Sequence, residues 1–165
     1  MSDEARRMRL ATVSACASII ASSIGSRPVR RLPSGACVKI RDVAPNSRVF
    51  GADIDRNVLF SEDRIQTAYV DQMQPDTFHE LKLQFGTDHY DLVIDDGLHT
   101  IAANLNTLLF AIRTLNPGGW VVIEDIWNGQ ICWEIVYQLI PPEQFNRHLF
   151  SFRTEKLVFA LQKLP

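Results

Sequence analysis

In the segment Tyr90-Asp91-Leu92-Val93-Ile94-Asp95-Asp96-Gly97-Leu98-His99, a short apolar run is followed directly by two carboxylates, a glycine and a histidine. An apolar run without polar alternation is typical of a strand covered on both faces, as in a parallel sheet flanked by helices. In such sheets ligands bind outside the carboxyl ends of the strands. The segment therefore predicts a buried parallel strand that ends in reactive groups.

Strands and helices alternate on either side of this segment. Three more apolar runs bounded by turn residues are predicted strands, namely Arg48 to Asp55, Arg64 to Val70 and Trp120 to Ile123. Apolar residues at helical spacing predict helices over Pro75 to Phe85, Ile101 to Leu115 and Cys132 to Leu139. Two β-like runs follow, His148 to Phe152 and Lys156 to Leu161. This order predicts an α/β fold with a Rossmann-like, doubly wound, mostly parallel sheet and an antiparallel edge strand.

The chain ahead of these elements has a less regular pattern. Leu10 to Ile24 is diluted by Ser, Thr and Ala and is short against the roughly 20 apolar residues that span a bilayer. It predicts an N-terminal helix within residues 1–26 rather than a membrane span. Residues 27–47, which contain three prolines, are predicted to be irregular, and residues 48–165 to form the core of one domain that covers 1–165.

Composition limits the classes of function. With 165 residues, 46% of them hydrophobic, the chain fits one globular domain, and its net charge of -2 gives no reason to expect nucleic acid. Cys16, Cys37 and Cys132 are odd in number and widely spaced, which is typical neither of a disulfide framework nor of a zinc site. We therefore expect a cytoplasmic protein without a membrane segment.

Acidic residues stand at the ends of four predicted strands: Asp53 and Asp55, Asp71, Asp95 and Asp96, and Glu124 and Asp125. A single acid of this kind is often a helix cap or a loop residue. Several carboxylates that converge without basic partners would raise one another's pKa unless a cation compensates. The pattern predicts a divalent cation held by Asp96, Glu124 and Asp125, with Mg²⁺ favoured, calcium as the alternative and zinc disfavoured without cysteine ligands.

The same strand ends offer candidates for catalysis and nucleotide binding. His99 follows Asp96 by three residues and, because histidine titrates near neutral pH, could take a proton from a substrate hydroxyl beside the metal. Asp53 has the position of an acid that accepts hydrogen bonds from ribose hydroxyls. Asp71 and Gln72 could pair with an adenine edge.

Together these residues resemble class I S-adenosylmethionine-dependent methyltransferases, especially the metal-dependent sugar O-methyltransferases of macrolide pathways, including the macrocin type. The motifs that carry the resemblance are Val49-Phe50-Gly51-Ala52-Asp53-Ile54-Asp55, Val70-Asp71-Gln72, Tyr90 to His99, Leu115-Asn116-Pro117-Gly118-Gly119 and Val122-Ile123-Glu124-Asp125. The resemblance implies S-adenosylmethionine and Mg²⁺ as cofactors. It implies these roles for the matching residues: ribose binding for Asp53, a place by the adenine for Asp71 and Gln72, Mg²⁺ binding for Asp96, Glu124 and Asp125, and the role of base for His99.

In this family the first strand ends in an acid followed by a glycine-rich turn. The nearest counterpart here is Leu32-Pro33-Ser34-Gly35-Ala36-Cys37, which no apolar strand precedes. The resemblance therefore predicts a shortened, distorted or missing first strand, with Gly35 in the remnant of the turn. Gly35 and Asp95 complete the predicted cofactor contacts.

The resemblance implies a magnesium-dependent O-methyltransferase that methylates a hydroxyl of a small molecule such as a sugar or polyketide. Two other hypotheses stay open: a catalytically impaired methyltransferase-like domain that acts as a partner subunit, and a metal-dependent hydrolase that uses the same acids. The expected partner is the small-molecule acceptor, with neither nucleic acid nor membrane. Leu10 to Ile24 is a candidate surface for a homo-oligomer.

Overall fold

The structure is a computed structural model that describes residues 9–13, 37, 41–42, 46–127, 129–151 and 156–165. Its strands are β1 (Arg9–Val13), β2 (Arg48–Asp53), β3 (Ser61–Glu62), β4 (Ile65–Tyr69), β5 (Tyr90–Asp95), β6 (Leu115–Ile126), β7 (Phe145–Ser151) and β8 (Leu157–Lys163). Its α-helices are α1 (Pro75–Phe85), α2 (Ile101–Thr114) and α3 (Gln130–Leu139), and Arg56–Val58 forms a 3-10 helix. Within these described ranges no helix is long and apolar enough to cross a membrane.

The eight described strands form one sheet in the order β3-β4-β2-β1-β5-β6-β8-β7. The five central strands β4, β2, β1, β5 and β6 run parallel, while β3, β8 and β7 pair antiparallel to their neighbours. The predicted α/β class, with a mostly parallel sheet and antiparallel edges, is confirmed. The crossovers through α1 and α2 run in the same direction along the sheet, so both helices lie on one face.

The centre of the sheet differs from the sequence-based prediction. Arg9–Val13 is a strand that pairs in parallel with both β2 and β5, with Leu10 opposite Val49 on one side and Leu92 on the other. The predicted N-terminal helix is therefore wrong at Arg9–Val13. Five residues are too few for periodicity to separate a helix from a strand, and here pairing with two neighbouring strands determines the strand.

This strand also changes the prediction made for residues 27–47. The first strand of the sheet is present, and it lies ahead of that region rather than within it. The first strand is therefore not missing, which removes one support for the hypothesis of an impaired methyltransferase-like domain. The predicted change in the glycine-rich turn falls on residues 14–36, which lie outside the described ranges, and stays a prediction. Gly35 and most of residues 14–45 lie outside the described residues, while Cys37, Arg41 and Asp42 have helical backbone.

Aromatic side chains pack between the sheet and the helices. The rings of Phe50 and Phe85 have centroids 4.8 Å apart, and Phe110 contacts both Phe78 at 5.3 Å and Tyr90 at 5.7 Å. Each fully buried ring of this kind contributes about 1.5–3 kcal/mol relative to an exposed one. A second ring pair, Trp133 of α3 and Phe159 of β8 at 5.0 Å, packs α3 against the antiparallel part of the sheet.

Capping residues set the helix ends beside the sheet edge. Pro75 occupies the start of α1, and Gly86 ends that helix in the left-handed conformation with a φ of 65°. Thr100 caps α2, because its side chain accepts a hydrogen bond from the Ala103 N–H. The start of α2 is thereby fixed two residues after His99.

Candidate functional site

The candidate site lies at the carboxyl edge of the parallel strands. Because β4, β2, β5 and β6 all run in the same direction, the acids that follow them meet at one edge of the sheet. Asp96 and His99 lie in the loop after β5. Glu124 and Asp125 lie near the end of β6, directly before its last residue, Ile126. This convergence was predicted from the sequence.

Three of these side chains form a compact group of ligand atoms. Asp96, His99 and Asp125 each place one nitrogen or oxygen atom within 4.8 Å of the other two. The Nε2 atom of His99 lies 3.8 Å from Oδ1 of Asp96. The carboxylates of Asp96 and Asp125 are oxygen donors of the kind that Mg²⁺ takes, so these two residues fit the predicted Mg²⁺, and the imidazole of His99 lies beside them.

Glu124, the third predicted metal ligand, lies outside that compact group but is close to it. Burial raises its pKa most, and the negative charges of Asp96 and Asp125 raise it further, while His99 lowers it. The four side chains therefore share one electrostatic environment with an excess of negative charge. A cation bound there would relieve the repulsion among the carboxylates.

Two members of the group have unusual backbone. His99 has a φ of 56° and Asp125 a φ of 49°, which places both in the left-handed region that side-chain-bearing residues rarely adopt. Such a conformation costs of order 1–2 kcal/mol per residue and persists only where the surroundings enforce it. The two turns aim these side chains at a common point, and strain of this kind is typical of functional sites.

Gln72 connects the loop after β4 to the loop after β5. Its Nε2 donates to Oδ1 of Asp95 at 2.8 Å and to Oγ1 of Thr107 at 2.9 Å, and its Oε1 accepts from the Leu98 N–H at 2.8 Å. Asn106 holds the backbone of Gln72 by donating to its carbonyl oxygen at 2.8 Å. Both amide hydrogens of Gln72 are thus donated within the protein, and its predicted place by the adenine stays a prediction.

Asp95 is fully buried beside this glutamine. Its Oδ1 accepts from Gln72 and from the Gly97 N–H at 3.1 Å, whereas Oδ2 has no hydrogen-bond partner among the described residues. Burial raises the pKa of Asp95 to about 6, against the opposing effect of its hydrogen bonds. A buried carboxylate oxygen without a donor can accept a hydrogen bond from a bound ligand, which fits the predicted cofactor contact.

The two remaining predicted cofactor acids accept hydrogen bonds in their own loops. Oδ1 of the buried Asp53 accepts from the Asp55 N–H at 2.8 Å, and Oδ1 of Asp71 accepts from the Met73 N–H at 2.9 Å. These bonds fix both carboxylates at the same sheet edge as Asp95. Oδ2 of Asp71 also accepts a hydrogen bond from Nε2 of Gln74 at 3.1 Å, and the contacts of Asp53 and Asp71 with the cofactor stay predictions.

Sequence reasoning missed Lys156. Its Nζ donates to Oδ2 of Asp125 at 2.7 Å and lies 4.5 Å from the ring centre of Trp127. Lys156 directly precedes β8, so its place in the site follows from the pairing of β8 with β6. The only signal in the sequence was a lysine at the start of the predicted run Lys156 to Leu161, and it does not reveal that strand's partner.

A separate cleft of about 380 Å³ lies between α1 and α2. Its lining includes the rings of Phe78, Tyr90 and Phe110 and the charged groups of Lys82 and Arg113. None of the candidate site residues lines it. The cleft lies on the face of the sheet that α1 and α2 cover, so it is distinct from the acidic edge.

Comparison with known proteins agrees with this geometry. Residues 32–126 match the family described as "Methyltransferase domain". The chain is 39% identical over 82 residues to demethylmacrocin O-methyltransferase of Streptomyces fradiae, and 36% identical over 86 residues to mycinamicin VI 2''-O-methyltransferase of Micromonospora griseorubida. These segments cover 49% and 52% of this chain but only 20% and 21% of the relatives.

Solved structures show the same fold. The MycE methyltransferase from the mycinamycin biosynthetic pathway, in complex with Mg and SAH, superposes with a TM-score of 0.70 at 20% sequence identity. That match covers 96% of this chain and 46% of MycE. The chain therefore spans less than half the length of this structural neighbour.

Proposed function

Because the chain belongs to the methyltransferase-domain family, we propose that it is an S-adenosylmethionine-dependent O-methyltransferase that uses Mg²⁺. The observation that carries the proposal is the compact group of Asp96, His99 and Asp125 at the carboxyl edge of the parallel strands. Such a group places a general base beside a cation site, which is the arrangement that activation of a hydroxyl requires.

The two cofactors would be held by different parts of this edge. Asp96 and Asp125, with Glu124 beside them, would hold Mg²⁺, and Asp53, Asp71 and Asp95 would hold S-adenosylmethionine. When bound, S-adenosylmethionine supplies the methyl group and Mg²⁺ supplies a Lewis acid that favours deprotonation of the acceptor hydroxyl. The unpaired Oδ2 of Asp95 supports this assignment, since it can accept a donor from the ligand.

His99 performs the proton transfer in this proposal. Its Nδ1 is buried, whereas Nε2 faces Oδ1 of Asp96 at 3.8 Å, so Nε2 is the nitrogen that takes the hydroxyl proton. The charge that His99 gains is stabilised by Asp96. Gln72 supports the step by fixing the Leu98 N–H, and with it the backbone that carries His99.

The proposed acceptor is a sugar hydroxyl on a polyketide. The names of several relatives specify a position of this kind, including the 2''-hydroxyl for the mycinamicin VI enzyme and rhamnosyl positions for two tetracenomycin enzymes of Streptomyces olivaceus. Because those relatives are much longer than the segments matched, the acceptor class is proposed from the likeness of the catalytic segment alone.

Replacement of the base tests the proposal. His99→Asn removes the base and keeps a residue type that tolerates the left-handed φ of 56°. We expect methyl transfer from S-adenosylmethionine to a glycosylated macrolide acceptor, measured by mass spectrometry, to fall about 10²- to 10⁴-fold. The affinity for S-adenosylhomocysteine, measured by calorimetry, should stay unchanged.

His89→Asn is the matched control, because the His89 side chain is 62% exposed and lies outside the candidate site. It should leave both measurements unchanged. Retention of methyl transfer in His99→Asn would rule out His99 as the base. A protein that binds neither S-adenosylmethionine nor S-adenosylhomocysteine would contradict the proposed function as a whole.

A further inference from the structure

An irregularity in β6 places Asp125 beside the start of β8. Ile123 pairs with Phe159 and Ile126 pairs with Leu157, so β6 holds one residue more than β8 between these two pairs. An extra residue of this kind is a β-bulge, which re-aims the side chains around it. Asp125 lies in the bulge, has a φ of 49° and does not pair regularly with β8.

Lys156 is fixed next to that bulge. It directly precedes Leu157, whose pairing with Ile126 holds the start of β8 against the end of β6. Its ammonium group bonds to Oδ2 of Asp125 at 2.7 Å, and it is 29% exposed. The same group lies 4.5 Å from the centre of the Trp127 ring, which adds a cation–π contact. The carboxylate and the ring thus hold one lysine between them.

The carboxylate bound by Lys156 is also a member of the candidate metal group. Asp125 contributes to the set with Asp96 and His99. A lysine ammonium and a divalent cation are both attracted to this carboxylate and repel each other at short range. They therefore compete for Asp125.

We propose that Lys156 competes with the metal for Asp125. Its ammonium group must leave the Asp125 carboxylate before Mg²⁺ can bind with full coordination. This inference rests on the proposed function, since it assumes that Asp125 is a metal ligand. In the metal-free protein the lysine compensates the charge of the Asp125 carboxylate, and it thereby lowers the affinity of the site for Mg²⁺. Metal binding is thereby coupled to the contact between Lys156 and Trp127.

Calorimetric titration with MgCl₂ tests the competition without any measurement of activity. Lys156→Met keeps the length of the side chain and removes its charge, and we expect about fivefold tighter Mg²⁺ binding, as for loss of one partly exposed ion pair. Lys82→Met is the matched control, because it removes the same charge at the remote pair with Asp88. It should leave the Mg²⁺ affinity unchanged. In an Asp125→Asn background, Lys156→Met should give no gain.

Trp127 provides an independent signal. We expect Mg²⁺ to change the tryptophan emission of the unmodified protein with the same half-saturation as the calorimetric titration. The change should be absent from both Lys156→Met and Trp127→Phe. Thermal melting of each variant without metal establishes that it is folded.

The outcomes separate this inference from the proposed function. Tighter binding in Lys156→Met supports the competition, and so does binding that is measurable only in that variant. Equal Mg²⁺ affinity in the unmodified protein and Lys156→Met overturns the competition but leaves the proposed function standing. Binding of Mg²⁺ by neither protein overturns the metal dependence in the proposed function and the competition with it.

Discussion

Gln72 is the residue on which the geometry of the candidate site depends most directly. Its amide contacts Asp95, Thr107 and the Leu98 N–H, so it joins two loops and a helix through one buried side chain. Gly97 is required for this arrangement, because a Cβ atom at that position would overlap the Gln72 amide. Because residue 97 has no side chain, the Gln72 side chain can lie against its backbone.

This contact predicts the effect of Gly97→Ala. The backbone of Gly97 is not in the left-handed region, so the cost should come from overlap with the hydrogen-bonded Gln72 rather than from backbone strain. We expect the free energy of unfolding, measured with urea, to fall by about 1–3 kcal/mol.

The double variant Gln72→Ala/Gly97→Ala is the control for that explanation. Removing the glutamine also removes the overlap, so the two effects should be less than additive by more than about 0.5 kcal/mol. Strict additivity would show that Gly97 is required for some other reason.

Some site residues could be located from the sequence and others could not, depending on what determines their positions. Asp96, His99 and Asp125 were predicted to converge because the carboxyl ends of parallel strands meet at one edge, and the strands could be predicted from apolar runs. Lys156 could not be found in this way, because its contact depends on the register of an antiparallel pair. The hydrogen bonds of Gln72 likewise depend on side-chain packing that has no local signal in the sequence.

At the level of elements, the helix boundaries were the best-determined features. The predicted helix over Pro75 to Phe85 has these same bounds in the structure, because a proline at its start and Gly86 after its end are strong local signals. The predicted helix from Ile101 ends one residue early, at Thr114. The bulge in β6 had no such signal, since it arises from pairing with β8.

The cap of α2 gives a prediction at this level. Thr100→Ala removes the side-chain oxygen that accepts from the Ala103 N–H, and we expect a loss of about 1 kcal/mol in urea unfolding. Thr100→Ser keeps the hydroxyl and should recover most of the loss. If serine and alanine were equally destabilising, the cap would not be the cause.

At the level of the whole molecule, the largest difference between prediction and structure is β1. The segment Leu32 to Cys37, with Gly35 as the remnant of the glycine-rich turn, predicted the first strand just ahead of it, whereas the strand lies at Arg9–Val13. Its five residues are too few for periodicity to separate strand from helix. Only its position between β2 and β5 determines its structure, and that is a property of the complete sheet.

Proline substitution in β1 tests this placement. Ala11 pairs with Phe50 on one side and Val93 on the other, so a proline there removes a backbone donor from the interior of the sheet. We expect Ala11→Pro to lower the free energy of unfolding by about 3 kcal/mol or more, measured by urea denaturation.

Ala11→Gly is the control, because it keeps the N–H and should cost only about 1 kcal/mol. The difference between the two variants isolates the ladder hydrogen bond and the fixed φ of proline. Equal stability of the two variants would contradict a central position for β1.

The central position of β1 also constrains how the chain can acquire its structure. During synthesis β1 precedes both of its neighbours, and the second of them is complete only once Asp95 has been added. Both ladders must therefore close over long stretches of chain, which is entropically costly and makes folding slow. Until then the edge of β1 that pairs with β5 is open to other strands, so a nascent chain released before Asp95 exposes a strand edge on which aggregation can begin.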